Sequence, residues 1–83
     1  MELYEELGGV NSKDDFLKFL NSLINDNTNN DEEWENRSIA EYLGSIRSWV
    51  EDMEGYYKNN NLSVPKINWN FLATIFYVGK IYE

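Results

Sequence analysis

The stretch SIAEYLGSIRSWVEDMEGYY, residues 38–57, decides the fold class. Ser38 and Glu41 stand at the spacing of a capping box, in which each side chain satisfies a backbone N–H at a helix start. Ile39, Tyr42, Leu43, Ile46, Val50, Met53 and Tyr57 then recur at steps of three and four. That period puts them on one side of a helix and predicts an amphipathic helix over 39–57 with this stripe as its buried face. Arg47 and Glu51, four apart, are placed for a weak surface pair, and Gly55 is expected to loosen the last turn.

The pattern repeats on either side. Ser12 caps a second helix, with Asp14 and Asp15 in its first turn, where the helix dipole favours negative charge. Phe16, Leu17, Phe19, Leu20, Leu23 and Ile24 share a face, which predicts a helix near 13–25. Asn68 is placed to cap a third helix near 69–82, along which Phe71, Leu72, Ile75, Phe76, Gly79 and Tyr82 share a face. Thr74–Val78 also has strand propensity, but the length of the segment and the lack of a partner strand favour helix. Gly79 is expected to admit a neighbouring helix at close range. Short turns are expected near 2–6 and 31–36, the latter pinning Trp34 to the core. The Asn-rich stretches 25–30 and 59–61, and Pro65, read as connections. The expected architecture is all-α, a small three- to four-helix bundle forming a single domain over 1–83.

Composition supports an ordered domain. The chain has 83 residues, of which 42% are hydrophobic and 16% aromatic. Chains that stay disordered are poor in both. It has no Cys and no His. Disulfides, thiolate metal sites, Ser-His-Asp triads and Cys-His pairs are therefore excluded. No metal site and no cofactor is expected. The carboxylates of Asp31–Glu35 lack the alternation and central Gly of a calcium loop, and Gly8-Gly9 is a lone pair without a phosphate-cradling loop around it. Glu51, Asp52 and Glu54 are helix neighbours that do not converge on one point. The chain is expected not to be an enzyme.

Fifteen Asp and Glu against seven Lys and Arg give a net charge of −8. This disfavours direct nucleic-acid binding and anionic membranes, and favours a basic protein partner. No segment has the roughly 20 apolar residues of a membrane span, and the acidic N-terminus does not read as a signal peptide. A cytoplasmic location is expected. On the wheel of the central helix, Glu41, Ser45, Trp49, Asp52 and Tyr56 form a strip beside the apolar stripe. With Glu54 they are the expected partner-binding residues: Trp49 and Tyr56 as anchors, Glu41, Asp52 and Glu54 as attractors.

Glu33-Trp34-Glu35-Asn36, Glu41-Tyr42-Leu43, Ser48 to Tyr57 with its W-x-E-D-M-x-G-Y-Y block, Asn68-Trp69 and Lys80 to Glu83 resemble an uncharacterised family of short acidic bacterial proteins, a domain of unknown function. The resemblance implies one bacterial domain and no particular chemistry. Val10 to Phe19 is similar to the first-helix start of colicin-type immunity proteins, acidic helical inhibitors with a Tyr-Tyr pair and carboxylates at their contact. Here Tyr56-Tyr57 follows Glu51, Asp52 and Glu54, although these tyrosines close a long helix. The leading expectation is a non-catalytic acidic protein-binding module, in its sharpest form an immunity-type inhibitor of a basic partner. Two alternatives stand beside it: a structural or regulatory domain that self-associates as a homodimer through the apolar face of Phe71, Ile75 and Val78, and a mimic of nucleic-acid charge.

Overall fold

The computed structural model describes residues 2–82. Helix α1 spans Leu3–Gly8, α2 Lys13–Asn29, α3 Ile39–Asn59 and α4 Trp69–Ile81, with a 3₁₀ turn at Asp31–Glu33 between α2 and α3. The described residues contain no strand, and the architecture is a small all-α bundle.

Local chemistry sets the helix starts. Ser12 Oγ accepts from the Asp15 N–H, Asn68 Oδ1 accepts from the Phe71 N–H, and both bonds of the Ser38–Glu41 capping box are formed. Each satisfies a donor that the helix itself leaves unpaired.

Tertiary contacts set some of the helix ends. The sequence reads residues 25–30 as a connection, but α2 continues to Asn29. Its last turn is held from outside, because Asp26 accepts from Trp34 Nε1 at 2.8 Å and pairs with Lys80 Nζ at 2.7 Å. The Thr28 hydroxyl also donates back to the Ile24 carbonyl. Gly55 does not loosen α3, which runs on to Asn59 and stops at Asn61, whose φ of 56° is a left-handed conformation that Asn tolerates.

Helix α4 is the centre of the bundle. It packs against α1, α2 and α3, whereas neither α1 nor α2 packs along α3. The core gathers Leu7, Val10, Phe19, Leu23, Trp34 and Ala73, with Tyr42, Phe76 and Tyr77 against it. Two asparagines clamp the connections to α4. Asn70 donates to the carbonyls of Leu7 and Val10, tying the α1–α2 turn to the start of α4. Asn36 donates to the carbonyls of Gly79 and Tyr82, satisfying the acceptors left open where α4 ends.

At Gly79 the Tyr42 ring of α3 lies directly against the α4 backbone. A Cβ there would lie 2.5 Å from a ring carbon of Tyr42, so the sequence expectation of close helix approach at this glycine holds. The Tyr42 hydroxyl donates to the Phe76 carbonyl at 2.6 Å. Burial pushes its pKa up to about 12.

Candidate functional site

Of the six residues that the sequence marks for partner binding, Glu41, Asp52, Glu54 and Tyr56 are exposed, Trp49 is half-buried and Ser45 is buried. Helix α4 docks on the Ser45 side of α3, and Ser45 is only 7% exposed. Ser45 is therefore corrected from a partner contact to an intramolecular one. The physical reason is size: a small side chain lets α4 approach where an Ile or Leu would hold it off. Trp49 is half-buried against Phe71, their ring centroids 6.4 Å apart. Asp52 accepts a 2.8 Å hydrogen bond from the Tyr82 hydroxyl. That bond, then partial burial and the carboxylate's charge, raise the Tyr82 pKa. Glu41 is exposed, but it is engaged in the capping box. Its bond from the Ser38 N–H, then the Ser38 side chain and the Arg37 backbone, hold its pKa low. Glu54 and Tyr56 remain open, and the Tyr56 ring meets Tyr57 edge-on at 5.1 Å.

The stripe expected to be buried is only partly covered, with Tyr42 packed against the core. Ile39 is 79% exposed, Leu43 56% and Val50 40%, while Ile46, Met53 and Tyr57 are half-buried. Only one helix packs along α3, and it occupies the neighbouring strip. Of the self-association face expected on α4, Phe71 and Val78 are buried within the chain and Ile75 is half-buried.

A second feature was not legible in the sequence. A cleft of about 580 Å³ opens between α1, the end of α2, the 3₁₀ turn and α4. Glu2 and Glu6 from α1, Asp26 from α2 and Glu33 from the 3₁₀ turn line it, with the rings of Tyr4 and Tyr77 and the ammonium of Lys80. The two rings lie 6.4 Å apart. Glu6 accepts from the Ser22 hydroxyl at 2.8 Å, which fixes its carboxylate.

At the edge of this cleft Asp26, Lys80 and Trp34 form a polar cluster. Asp26 and Lys80 are 18% and 13% exposed at their side chains, and the Lys80 ammonium also lies 5.7 Å from the centre of the Trp34 ring. Partial burial works to raise the Asp26 pKa. The hydrogen bonds from Lys80 and Trp34, with the Lys80 charge, outweigh it and hold the carboxyl below its ordinary value. Lys80 is thus neutralised from within, and the cleft keeps a surplus of carboxylates. Such a lining attracts cations, and tyrosine faces accept ammonium or guanidinium groups. Among the described residues, no group of three or more His, Cys, Asp or Glu side chains is placed to hold a metal ion.

A family model matches residues 12–83, covering α2, α3 and α4 in full. The chain belongs to DUF7660, a family of unknown function. No curated protein and no solved structure matches it. In this DUF7660 member the outer face of α3 lies wholly within the matched segment, and the α1 wall of the cleft precedes it. No helix is long and apolar enough to cross a membrane among the described residues.

The cleft escaped the sequence reading because four separate segments build it and none carries a motif. Its one sequence signal is the acidic start Glu2-Leu3-Tyr4-Glu5-Glu6, which puts an aromatic ring among carboxylates.

Proposed function

We propose that this chain is a non-catalytic acidic binding module that takes a basic segment of another protein into the cleft between α1, the end of α2 and α4. The observation that carries this reading is the pairing of carboxylates with rings: Glu2 and Glu33, which have no ion pair among the described residues, flank the Tyr4–Tyr77 pair. A Lys or Arg side chain inserted there gains charge-assisted hydrogen bonds and a ring face together. The net charge of −8 draws such a partner in over longer range. In its finer form the module is an inhibitor that covers a basic active site, in the manner of an immunity protein.

The test is an isotope-labelled titration with a short Arg- and Lys-rich peptide at low ionic strength, followed by amide chemical shifts. Shifts gathered at Tyr4, Glu6, Asn29, Glu33 and Tyr77, and fading as salt is added, support the reading. Shifts spread evenly over every acidic surface, or none, overturn it. Tyr4→Ala is expected to weaken binding by about tenfold, the value of one lost cation–ring contact with its packing.

A further inference from the structure

We infer that α3 is a dimer seam, pairing antiparallel with α3 of a second copy of this chain through its outward face. The first support is spacing. Ile39, Leu43, Ile46, Val50, Met53 and Tyr57 follow steps of four, three, four, three, four without a break. An average of 3.5 is the heptad repeat, which keeps apolar residues on one line only when a second helix winds along it. A helix packed on a single neighbour has no use for two such lines. In α3 the α4 contact runs along Tyr42, Ser45 and Trp49, and on the heptad line beside it Ile39, Leu43 and Val50 are exposed while Ile46, Met53 and Tyr57 are half-buried. The occupant is therefore a helix, over the 21 residues of α3.

Charge identifies which helix. The edge of the seam away from α4 carries Arg47, Glu51, Glu54 and Lys58. Two of the chain's seven basic residues thus stand opposite two acids, on a protein whose net charge is −8. This edge is electrically balanced, so it offers a basic partner no net attraction, whereas a second copy finds a self-complementary edge. The same residues set direction. In an antiparallel pair, Ile39 faces Tyr57 of the second copy, Leu43 faces Met53, and Ile46 faces Val50. Side chains on a helix lean toward its N-terminus, so Arg47 and the second copy's Glu54 lean toward each other, twice by symmetry. A parallel pair would instead set this charged edge against the strip that α4 covers, leaving Arg47 only its pair with Glu51 of the same helix and Glu54 no basic group across the seam. Antiparallel helix dipoles add in the same sense.

The seam continues into a groove. At the α3 N-terminus an apolar recess of about 340 Å³ is lined by Leu23, Ile24, Trp34, Ile39 and Tyr42. Ile24 is among its exposed residues. The antiparallel pairing brings the second copy's Tyr56–Tyr57 ring pair to this recess. Both rings come from one helix end, where Tyr56 is exposed, and the recess lies at the other end of the same helix.

Sedimentation equilibrium on the full chain, from micromolar to near-millimolar concentration, tests the inference. The wild-type protein is expected to show twice the monomer mass at the upper end. Leu43→Lys is expected to weaken association by about thirtyfold or more, the effect of losing a central interface anchor, with the helical circular dichroism unchanged because Leu43 is already exposed within one chain. Arg47→Glu is expected to weaken association several-fold, and Glu54→Arg in the same chain to restore it. A monomer at every concentration overturns the inference, as does a dimer that Leu43→Lys leaves intact. An Arg47→Glu defect that Glu54→Arg does not repair overturns the antiparallel arrangement. None of these outcomes involves the cleft, so the dimer and the basic-segment reading stand or fall separately.

Discussion

Helices α3 and α4 begin alike and end up differently. Each starts at a side-chain cap, Ser38 for α3 and Asn68 for α4, and each carries a run of large apolar residues. Helix α3 has the cleaner period, yet the one residue it buries fully is Ser45. Helix α4 buries Phe71, Ala73, Val78 and Gly79. The difference lies in neighbours: α4 is flanked by three helices and α3 by one. Pattern strength reports that a helix has an apolar face. The number of elements packed around it decides which face is hidden, and whether one is left over.

The sharpest test of that contrast is truncation on the α4 side. Phe71 is buried and meets Trp49 of α3 across the interface. Phe71→Ala is expected to cost about 3–4 kcal/mol, from lost burial plus the cavity left behind. Urea unfolding would show it as a lowered midpoint with the slope preserved. A loss below about 1 kcal/mol would mean that the α3–α4 interface is loose, and the contrast would fail.

Next in size is the charge at the C-terminal end of α4. Asp26→Ala leaves the mostly buried Lys80 ammonium and the Trp34 N–H without their acceptor, and is expected to cost about 2–3 kcal/mol. The folded-state pKa of Asp26 lies below its unfolded value. Its contribution is therefore fully present above the unfolded pKa of about 4 and is lost as pH falls through the lower, folded value. Thermal melts of the wild type are expected to drop over that acid window, and those of Asp26→Asn to drop less. An identical acid profile in both proteins would show that other carboxylates govern it.

Gly79→Ala probes the contact between the Tyr42 ring of α3 and the α4 backbone. In an open helix the change gains about 1 kcal/mol. Here the new methyl would sit 2.5–2.9 Å from three carbons of the Tyr42 ring. That ring cannot swing aside freely, since its hydroxyl is bonded to the Phe76 carbonyl and its face is stacked on Trp34 at 6.0 Å. A net loss of about 2 kcal/mol is expected in thermal or urea unfolding. A gain would place Tyr42 in a roomier setting than this packing allows.

Whatever depends on a few consecutive residues was legible in the sequence. Ser12, Ser38 and Asn68 are caps because a cap is a local hydrogen bond, and Gly79 marked a close approach because no other residue there permits one. Trp34 was read correctly as a core residue. What failed depends on partners distant in the chain. The last turn of α2 needs Trp34 and Lys80, which nothing near residue 26 announces. The exposure of Ile39, Leu43 and Val50 needs the knowledge that α4 alone packs along α3, and periodicity does not carry that information. Ser45 and Trp49 were taken for surface because they border the stronger stripe, and the small Ser45 was the sign that a helix passes over them. No motif sets Asn36 or Asn70 apart, and only the fold shows them clamping both ends of α4.

The smallest expected effect is also the most telling. Leu43 belongs to the best apolar stripe in the sequence, so a reading from pattern alone would assign Leu43→Ala a cost like that of Phe71→Ala. The structure leaves Leu43 more than half exposed. Within one chain the substitution removes little buried surface, and Ala is at least as good a helix former as Leu. Its cost at low protein concentration is expected to stay within about 0.5 kcal/mol. Stability should then separate from the wild type as concentration rises, because a seam that two copies share stabilises the wild type by mass action and the variant less. A large loss already present in the dilute chain would place Leu43 inside the monomer core, and the contrast between α3 and α4 would disappear with it.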